Sequence, residues 1–458
     1  MPSQDLRTFL KDFEDRFPQE VLRITEEIST HYEPSAVIME LDRAKRFPLI
    51  YFEKIKGFDH TVVTNVLATR QRLGLALGVD AQSAAPAFAE RILTAIPPQR
   101  IAEAPFQANR LTGEAVDLYR FPILTHFPID AGPYITAGLV TARDPQTGAD
   151  TCGYHRMQVK GPNKLGLSLH SRQRLWEYLR RAEEAGRHLE AAVVIGVHPA
   201  LSLGSMALVP YDQGKFARMG GLLGEPLRIT PCRDIDLNVP TFAEIILEGE
   251  ILAGHHEPEG PFAEFTNYAS YRSTENVFMI RSIQYRDQAL YHSITPAMSA
   301  DHVTIVAVQR EGDLLRALQQ NLPNIKAVHA PLSACGLFHC YVAMEKIAEG
   351  QPTQVILTAL AVDHNIKLVV VVDRDVNVFD ESQVLWAIAT RVQADRDVLI
   401  IPRHQGMGCT LDPSSDDLSR SAKMGIDATK PLNGFAQGID PHPAAQEKAR
   451  QILVELGF

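Results

Sequence analysis

Several things are missing from this chain of 458 residues, and each absence removes a class of function. No Cys-x-x-Cys pair occurs among its five cysteines, Cys152, Cys232, Cys335, Cys340 and Cys409. An odd number of scattered cysteines in a long chain supplies neither a disulfide framework nor a redox dithiol. No apolar run reaches the length that crosses a bilayer, and no charged-then-apolar leader is read at the start. Basic residues are outnumbered: 45 Lys and Arg stand against 55 Asp and Glu, for a formal charge of −10. A nucleic-acid partner wants a basic face, so that class is set aside, as is a membrane one. An anionic substrate stays open, because local charge decides inside a pocket. Repeats and low-complexity tracts are also absent. What remains is an ordinary globular composition, 45% hydrophobic and 22% charged, long enough for two or three domains and expected in a reducing cytoplasm.

The pattern changes twice along the chain. Leu6, Phe9, Leu10, Phe13 and Phe17 fall at helical spacing behind a Ser3 cap. A second helix is expected over 20–29, then strands over 36–41, 49–52 and 60–67, then helices over 70–77 and 85–95. Pro97-Pro98 ends this α/β unit, 1–107. From 108 to 300 the segments are short, β-rich and punctuated by Gly and Pro, with one helix near 172–185; a barrel or curled antiparallel sheet fits them. From 301 to 438 α/β alternation returns. There the run Val369-Val370-Val371-Val372 reads as a strand covered on both faces. A terminal helix occupies 439–458.

The chemistry concentrates in Glu257-Pro258-Glu259-Gly260-Pro261-Phe262-Ala263-Glu264-Phe265-Thr266-Asn267-Tyr268. Glu259 and Glu264 bracket a Gly-Pro pair that cannot be helical, so a loop or strand entry is expected. Phenylalanines on either side pack such a segment against a core. There one carboxyl can be kept protonated and the other ionised, the minimum for moving a proton at carbon. His255-His256 and the Cys335–Cys340 stretch lack the spacing of a metal site.

The run E-G-P-F-x-E-F-T-x-Y resembles the signature of the UbiD family of reversible decarboxylases. Three other stretches resemble it in family order: Asp130-Ala131-Gly132-Pro133-Tyr134-Ile135-Thr136, His155-Arg156-Met157-Gln158, and Ser421-Ala422-Lys423-Met424-Gly425-Ile426-Asp427-Ala428-Thr429-Lys430. The resemblance implies an α/β multidomain (α+β) fold: an N-terminal α/β unit, a central flavin-reductase-like split β-barrel carrying the cofactor, and a C-terminal α/β domain whose terminal helix packs on another subunit. It implies a homo-oligomer, dimer or hexamer, that decarboxylates an aromatic, heteroaromatic or α,β-unsaturated acid with prenylated FMN (or FMN) made by a flavin prenyltransferase. Decarboxylation needs an electron sink that side chains do not offer, which is the cofactor's part. Residue by residue, Glu264 matches the proton donor, Glu259 its network partner and Arg156 the arginine between them. His155, Met157 and Lys423 fall in stretches expected near the flavin. His292, His302 and Arg310 occupy the substrate-facing segment, where a His and an Arg read a diacid in the furan-dicarboxylate branch.

One departure stands out. In most relatives a divalent metal, with K+ nearby, grips the flavin phosphate. Its ligands are an Asn, a His and a Glu, and the corresponding positions here are Thr151, Gln173 (His170 is close) and Lys215. Three replacements together argue against the metal and for direct phosphate binding by Lys215, helped by Arg172, Arg174 or Arg218. K+ remains compatible. The same replacements leave an alternative: a non-catalytic or partner-dependent flavin-binding subunit of a larger carboxylase complex.

Overall fold

The computed structural model describes residues 4–169 and 173–456. Its first layer is a four-stranded sheet in the order Val21–Ile28, Leu49–Ile55, Val62–Thr64, Tyr291–His292. Two expectations fail here. Residues 20–29 form a strand, not a helix, lying parallel beside Leu49–Ile55. Val21, Ile24 and Ile28 fit a helical stripe as well as a strand, and tertiary pairing decides. Residues 36–41 are not a strand; they sit inside the helix Glu33–Arg43, which Pro34 opens and whose Ile38 is buried. The helices Arg70–Leu77 and Ala84–Arg91 follow as expected.

The centre is a nine-stranded antiparallel sheet that curls into an incomplete barrel. Its spine is a pair of long strands, Ile245–Ala263 and Ala269–Tyr285, hydrogen-bonded along most of their length with several bulges. Inside faces supply Val140, Met157, Leu165, Val193, Leu247 and Phe278 to one core. The helix Arg174–Glu184 packs over it through Leu175, Tyr178 and Leu179. The acid-bearing stretch is thus mostly strand: Glu259 to Ala263 extend the first long strand, and the turn spans 264–268.

The C-terminal layer is a mixed five-stranded sheet, Ile325–His329, His339–Met344, Leu368–Asp373, Arg420–Ala428, Val398–Gln405. Its middle strand is the all-valine run, covered on both faces as its sequence predicts. The segment around Lys423 is an inner strand of this sheet. The 20-residue helix Ala300–Gln319 links barrel to C-terminal sheet and packs against Ala84–Arg91. The last helix, Pro443–Glu455, buries no side chain against the rest of the chain. Among the described residues no helix is long and apolar enough to cross a membrane.

Candidate active site

Arg156 immediately precedes the barrel strand Met157–Gly161, and Glu259 lies near the end of the long strand Ile245–Ala263. Arg156 Nε and Nη2 donate to the two carboxylate oxygens of Glu259 at 3.0 and 2.6 Å, a bidentate pair. Nη1 donates to Oε1 of Glu264 and, at 2.9 Å, to the Ser270 hydroxyl. Ser270 Oγ donates in turn to the same Glu264 oxygen. The Phe262 ring centroid lies 4.9 Å from the guanidinium carbon, and Tyr134 packs on Phe262 at 4.3 Å. Burial works against the charge on Arg156, but Glu264 and Glu259 outweigh it and raise its pKa.

The local sequence explains how two acids five residues apart meet one guanidinium. Gly260 sits at φ +90°, a conformation that side chains resist. A Cβ there would also lie 3.1 Å from the Ser270 carbonyl oxygen. Asp130 holds the strand end in place by accepting from the Ala263 N–H at 3.0 Å. Beyond it, Glu264 N–H donates to the Tyr268 carbonyl at 2.8 Å, closing the turn.

The two acids differ. Glu259 is wholly buried with both oxygens on Arg156, whereas Glu264 keeps 8% of its surface open. Glu264 lines a cavity of about 370 Å³, within the usual range of small-molecule sites. Its Oε2 accepts no hydrogen bond from any described residue, because both donors reach Oε1. One guanidinium thus faces two carboxyl groups, Glu259 through both oxygens and Glu264 through one.

Apolar side chains form much of the cavity wall, among them Leu169, Trp176, Met206, Ile294 and Ile305. Thr151, His155, Gln173 and Lys215 line it as well. Lys215 opens the helix Lys215–Leu223, and its Nζ donates to the Ser205 carbonyl at 2.6 Å. Burial pulls its pKa down to about 8, and Arg174 adds to that; Cys152 and Asp150 offset only part. His155 Nδ1 lies 3.0 Å from the Ser168 carbonyl, and burial lowers its pKa to about 4, so the ring is neutral. Arg174 also borders the cavity, but its guanidinium is taken up by the Val209, Pro210 and Gln213 carbonyls.

His302 lines the same cavity, while Met157, His292, Arg310, Lys423 and the wholly buried Glu259 lie outside its lining. Met157 is core of the barrel. His292 is buried with both ring nitrogens unpartnered, and Arg310 is paired with Asp363. Lys423 is also remote: buried in its strand, it donates to the His364 carbonyl at 2.7 Å. Arg218 is held by the Leu93 carbonyl and, at 2.6 Å, by Gln213. His170 and Arg172 lie outside the described residues. Among the described residues no three His, Cys, Asp or Glu side chains gather as a metal site. Sequence reasoning missed Ser270, whose only signal is a small polar residue six positions after Glu264, and Thr136, a cavity residue hidden inside a motif.

Comparison with known proteins gives this geometry a context. Models of the 3-octaprenyl-4-hydroxybenzoate carboxy-lyase (UbiD) domains match in sequence: the N-terminal domain over 16–92, the Rift-related domain over 99–299 and the C-terminal domain over 303–428. The anhydromevalonate phosphate decarboxylase of Methanothermobacter thermautotrophicus is 35% identical over 424 residues, 92% of this chain and 97% of that protein. The UbiD-class enzyme HmfF from Pelotomaculum thermopropionicum, solved with FMN, superposes with a TM-score of 0.91 at 36% identity, covering 97% of this chain and 99% of that one. The vanillic acid decarboxylase of Sedimentibacter hydroxybenzoicus in its open form matches with a TM-score of 0.87 at 27% identity, over 100% of both chains. With three family domains in order and relatives matched over nearly their whole length, the chain belongs to the UbiD family of carboxy-lyases and is a decarboxylase of that family.

Proposed function

We propose that this protein decarboxylates an aromatic, heteroaromatic or α,β-unsaturated carboxylic acid with prenylated FMN, and that Glu264 delivers the proton. The observation that carries the reading is the Glu264 carboxyl at the cavity wall, with one oxygen fixed by Arg156 and Ser270 and the other free. When the carbon–carbon bond breaks, carbon dioxide leaves and the electron pair stays on the substrate carbon; a proton must then reach that carbon. Glu264 gives it from Oε2 and is recharged from solvent. Arg156 holds Glu259 beside it and fixes the Oε1 side of the Glu264 carboxyl, so that Oε2 faces the cavity in a set orientation. The apolar walls exclude water.

The residues fit a flat cofactor with an anionic tail. Leu169, Trp176 and Met206 offer apolar surface, and a Cβ built on Gly153 would meet nothing nearer than 3.9 Å, so bare backbone borders the space. Lys215 offers a cation, and Thr151 and Gln173 offer neutral polar groups, to a phosphate. When bound, the prenylated flavin supplies the electron sink that no side chain provides. The donor set here is a cation and amide and hydroxyl groups, which suits a phosphate held without a metal. The matched HmfF structures, with FMN and with prFMN, support the cofactor. The exposed apolar residues Ile452, Leu453 and Val454 on the last helix support a homo-oligomer, and five unpaired cysteines support a cytoplasmic one.

The changed positions Thr151, Gln173 and Lys215 favour a second reading, a flavin-binding chain that turns over only beside a partner subunit of a larger carboxylase complex. One experiment separates the two. Protein co-expressed with a flavin prenyltransferase is assayed for carbon dioxide release on a panel of aryl, heteroaryl and alkenyl acids, beside Glu264→Gln. The proposal expects turnover that Glu264→Gln lowers by about 10²–10⁴-fold with its flavin spectrum intact. No turnover on any acid by flavin-loaded protein supports the second reading; an active Glu264→Gln enzyme refutes the assigned donor.

A further inference from the structure

Lys215 borders the cavity and is otherwise enclosed by protein. Its Nζ donates to the Ser205 carbonyl at 2.6 Å, and no carboxylate of the described residues lies within ion-pairing distance. One N–H is thus fixed on a neutral acceptor, and the rest of the nitrogen is left to the cavity. A lysine reacts as an amine and not as an ammonium, and desolvation is what frees the amine. Burial pulls the pKa of Lys215 down to about 8, so near that pH about half of it carries a lone pair.

The surroundings also suit a negative charge at this nitrogen. Cys152 lies nearby as a thiol whose own pKa burial pushes up to about 11, so it is uncharged near neutral pH. Of the full charges acting on Lys215, Arg174 is the larger and Asp150 the smaller. The guanidinium of Arg174 is hydrogen-bonded to the Val209, Pro210 and Gln213 carbonyls, which carry no net charge, so its positive field is not cancelled there. Asp150 accepts the Phe216 N–H at 2.7 Å. Thr151 and Gln173 bring a hydroxyl and an amide, each able to donate, to the same cavity wall.

We propose that Lys215 is a carbon dioxide site: in cofactor-free protein its amine adds reversibly to carbon dioxide, the reaction's own product, and becomes a carbamate. This rests on the reading of the cavity proposed above, where carbon dioxide is released and the cofactor phosphate seeks the same nitrogen. The Nζ lone pair forms a bond to the carbon of carbon dioxide, one carbon–oxygen π pair moves onto oxygen, and one proton leaves the nitrogen for solvent. No oxidant or reductant is needed, and the N–H that remains still donates to the Ser205 carbonyl. The position then carries a negative charge, which opposes a phosphate, whereas a bound phosphate favours the ammonium and protects it. Carbon dioxide and the cofactor therefore compete for one side chain.

Cofactor-free wild type, Lys215→Met and Lys215→Arg are compared at pH 8 in 13C-labelled bicarbonate by 13C NMR. Wild type should show a carbamate resonance that both variants lack and that added FMN removes. FMN affinity is measured by flavin fluorescence in bicarbonate and in chloride of equal ionic strength. The wild-type Kd should be about threefold or more weaker in bicarbonate, and that of Lys215→Arg, a cation that forms no carbamate, should not change. No carbamate resonance, or the same resonance in wild type and both variants, overturns the proposal. So does a bicarbonate effect that persists in Lys215→Arg, which would mean competition by the anion itself, and so does a wild-type Kd that bicarbonate leaves unchanged. If FMN does not bind wild type even in chloride, the cofactor reading fails instead, and the resonance alone decides: present only with Lys215 supports the site, absent overturns it.

Discussion

At one side of the cavity Arg156 has every guanidinium nitrogen on a protein acceptor; elsewhere on its wall Lys215 donates to a single carbonyl. Both cations are largely withdrawn from water. The first is surrounded by two carboxyl groups, so its charge is favoured despite burial. The second has no carboxylate partner at hydrogen-bonding distance, so burial wins and its pKa falls to about 8. A cation already neutralised by the protein is suited to hold catalytic groups in fixed geometry. A cation left short of negative charge is suited to receive an anion from outside.

The comparison can be broken from either side. Replacing Arg156 by Met leaves Glu259 buried without its partner and should cost about 3–5 kcal/mol of stability, besides abolishing turnover. Chemical denaturation beside wild type measures this. A loss below about 1 kcal/mol would mean the two acids are content without the guanidinium. The same change at Lys215 should act in the opposite direction on cofactor-free protein. The folded-state pKa of Lys215 lies below the ordinary lysine value of 10.5, so between about 8 and 10.5 the unfolded chain binds more protons and stability rises with pH. Lys215→Met removes that dependence: it should be more stable than wild type below pH 8, with the gap closing toward pH 10.5. It should also lose flavin on gel filtration, whereas Arg156→Met need not. A variant that keeps its flavin contradicts the phosphate role.

A smaller effect is expected at Arg310. Its pairing with Asp363 places it in the contact between the helix Ala300–Gln319 and the C-terminal layer, not in the cavity lining. Arg310→Ala should leave KM for a diacid and a monoacid changed alike, by less than about threefold, and cost about 1 kcal/mol as a partly exposed pair. A selective rise for the diacid would return Arg310 to the substrate site.

The parts that could be read from sequence were those with local signatures. The all-valine strand shows itself by an unbroken apolar run, and the Glu259–Glu264 stretch by glycine and proline between acids and aromatics. Residues 20–29 and 36–41 mislead because short apolar runs fit both periods; the parallel pairing of 21–28 with 49–55 decides the first, and the helix that Pro34 opens takes in the second. The acid cluster needed more than spacing. Arg156 and Glu259 are 103 residues apart, and nothing local says that the curl of the barrel brings them to 2.6 Å. The engagement of Arg310 with Asp363, and of Lys423 with the His364 carbonyl, has no sequence signal at all. The same holds for Ser270, which acts only through the oxygen of Glu264 that it shares with Arg156.

The central claim is that Glu264 exchanges a proton with the substrate carbon. It is tested most directly by removing carbon–carbon bond cleavage from view. Flavin-loaded enzyme is incubated in D2O with the decarboxylated product and no carbon dioxide, and deuterium at the carbon that bore the carboxylate is followed by NMR. The account predicts exchange by wild type, and a rate lower by about 10²-fold or more for Glu264→Gln. Exchange at the wild-type rate in Glu264→Gln would contradict it.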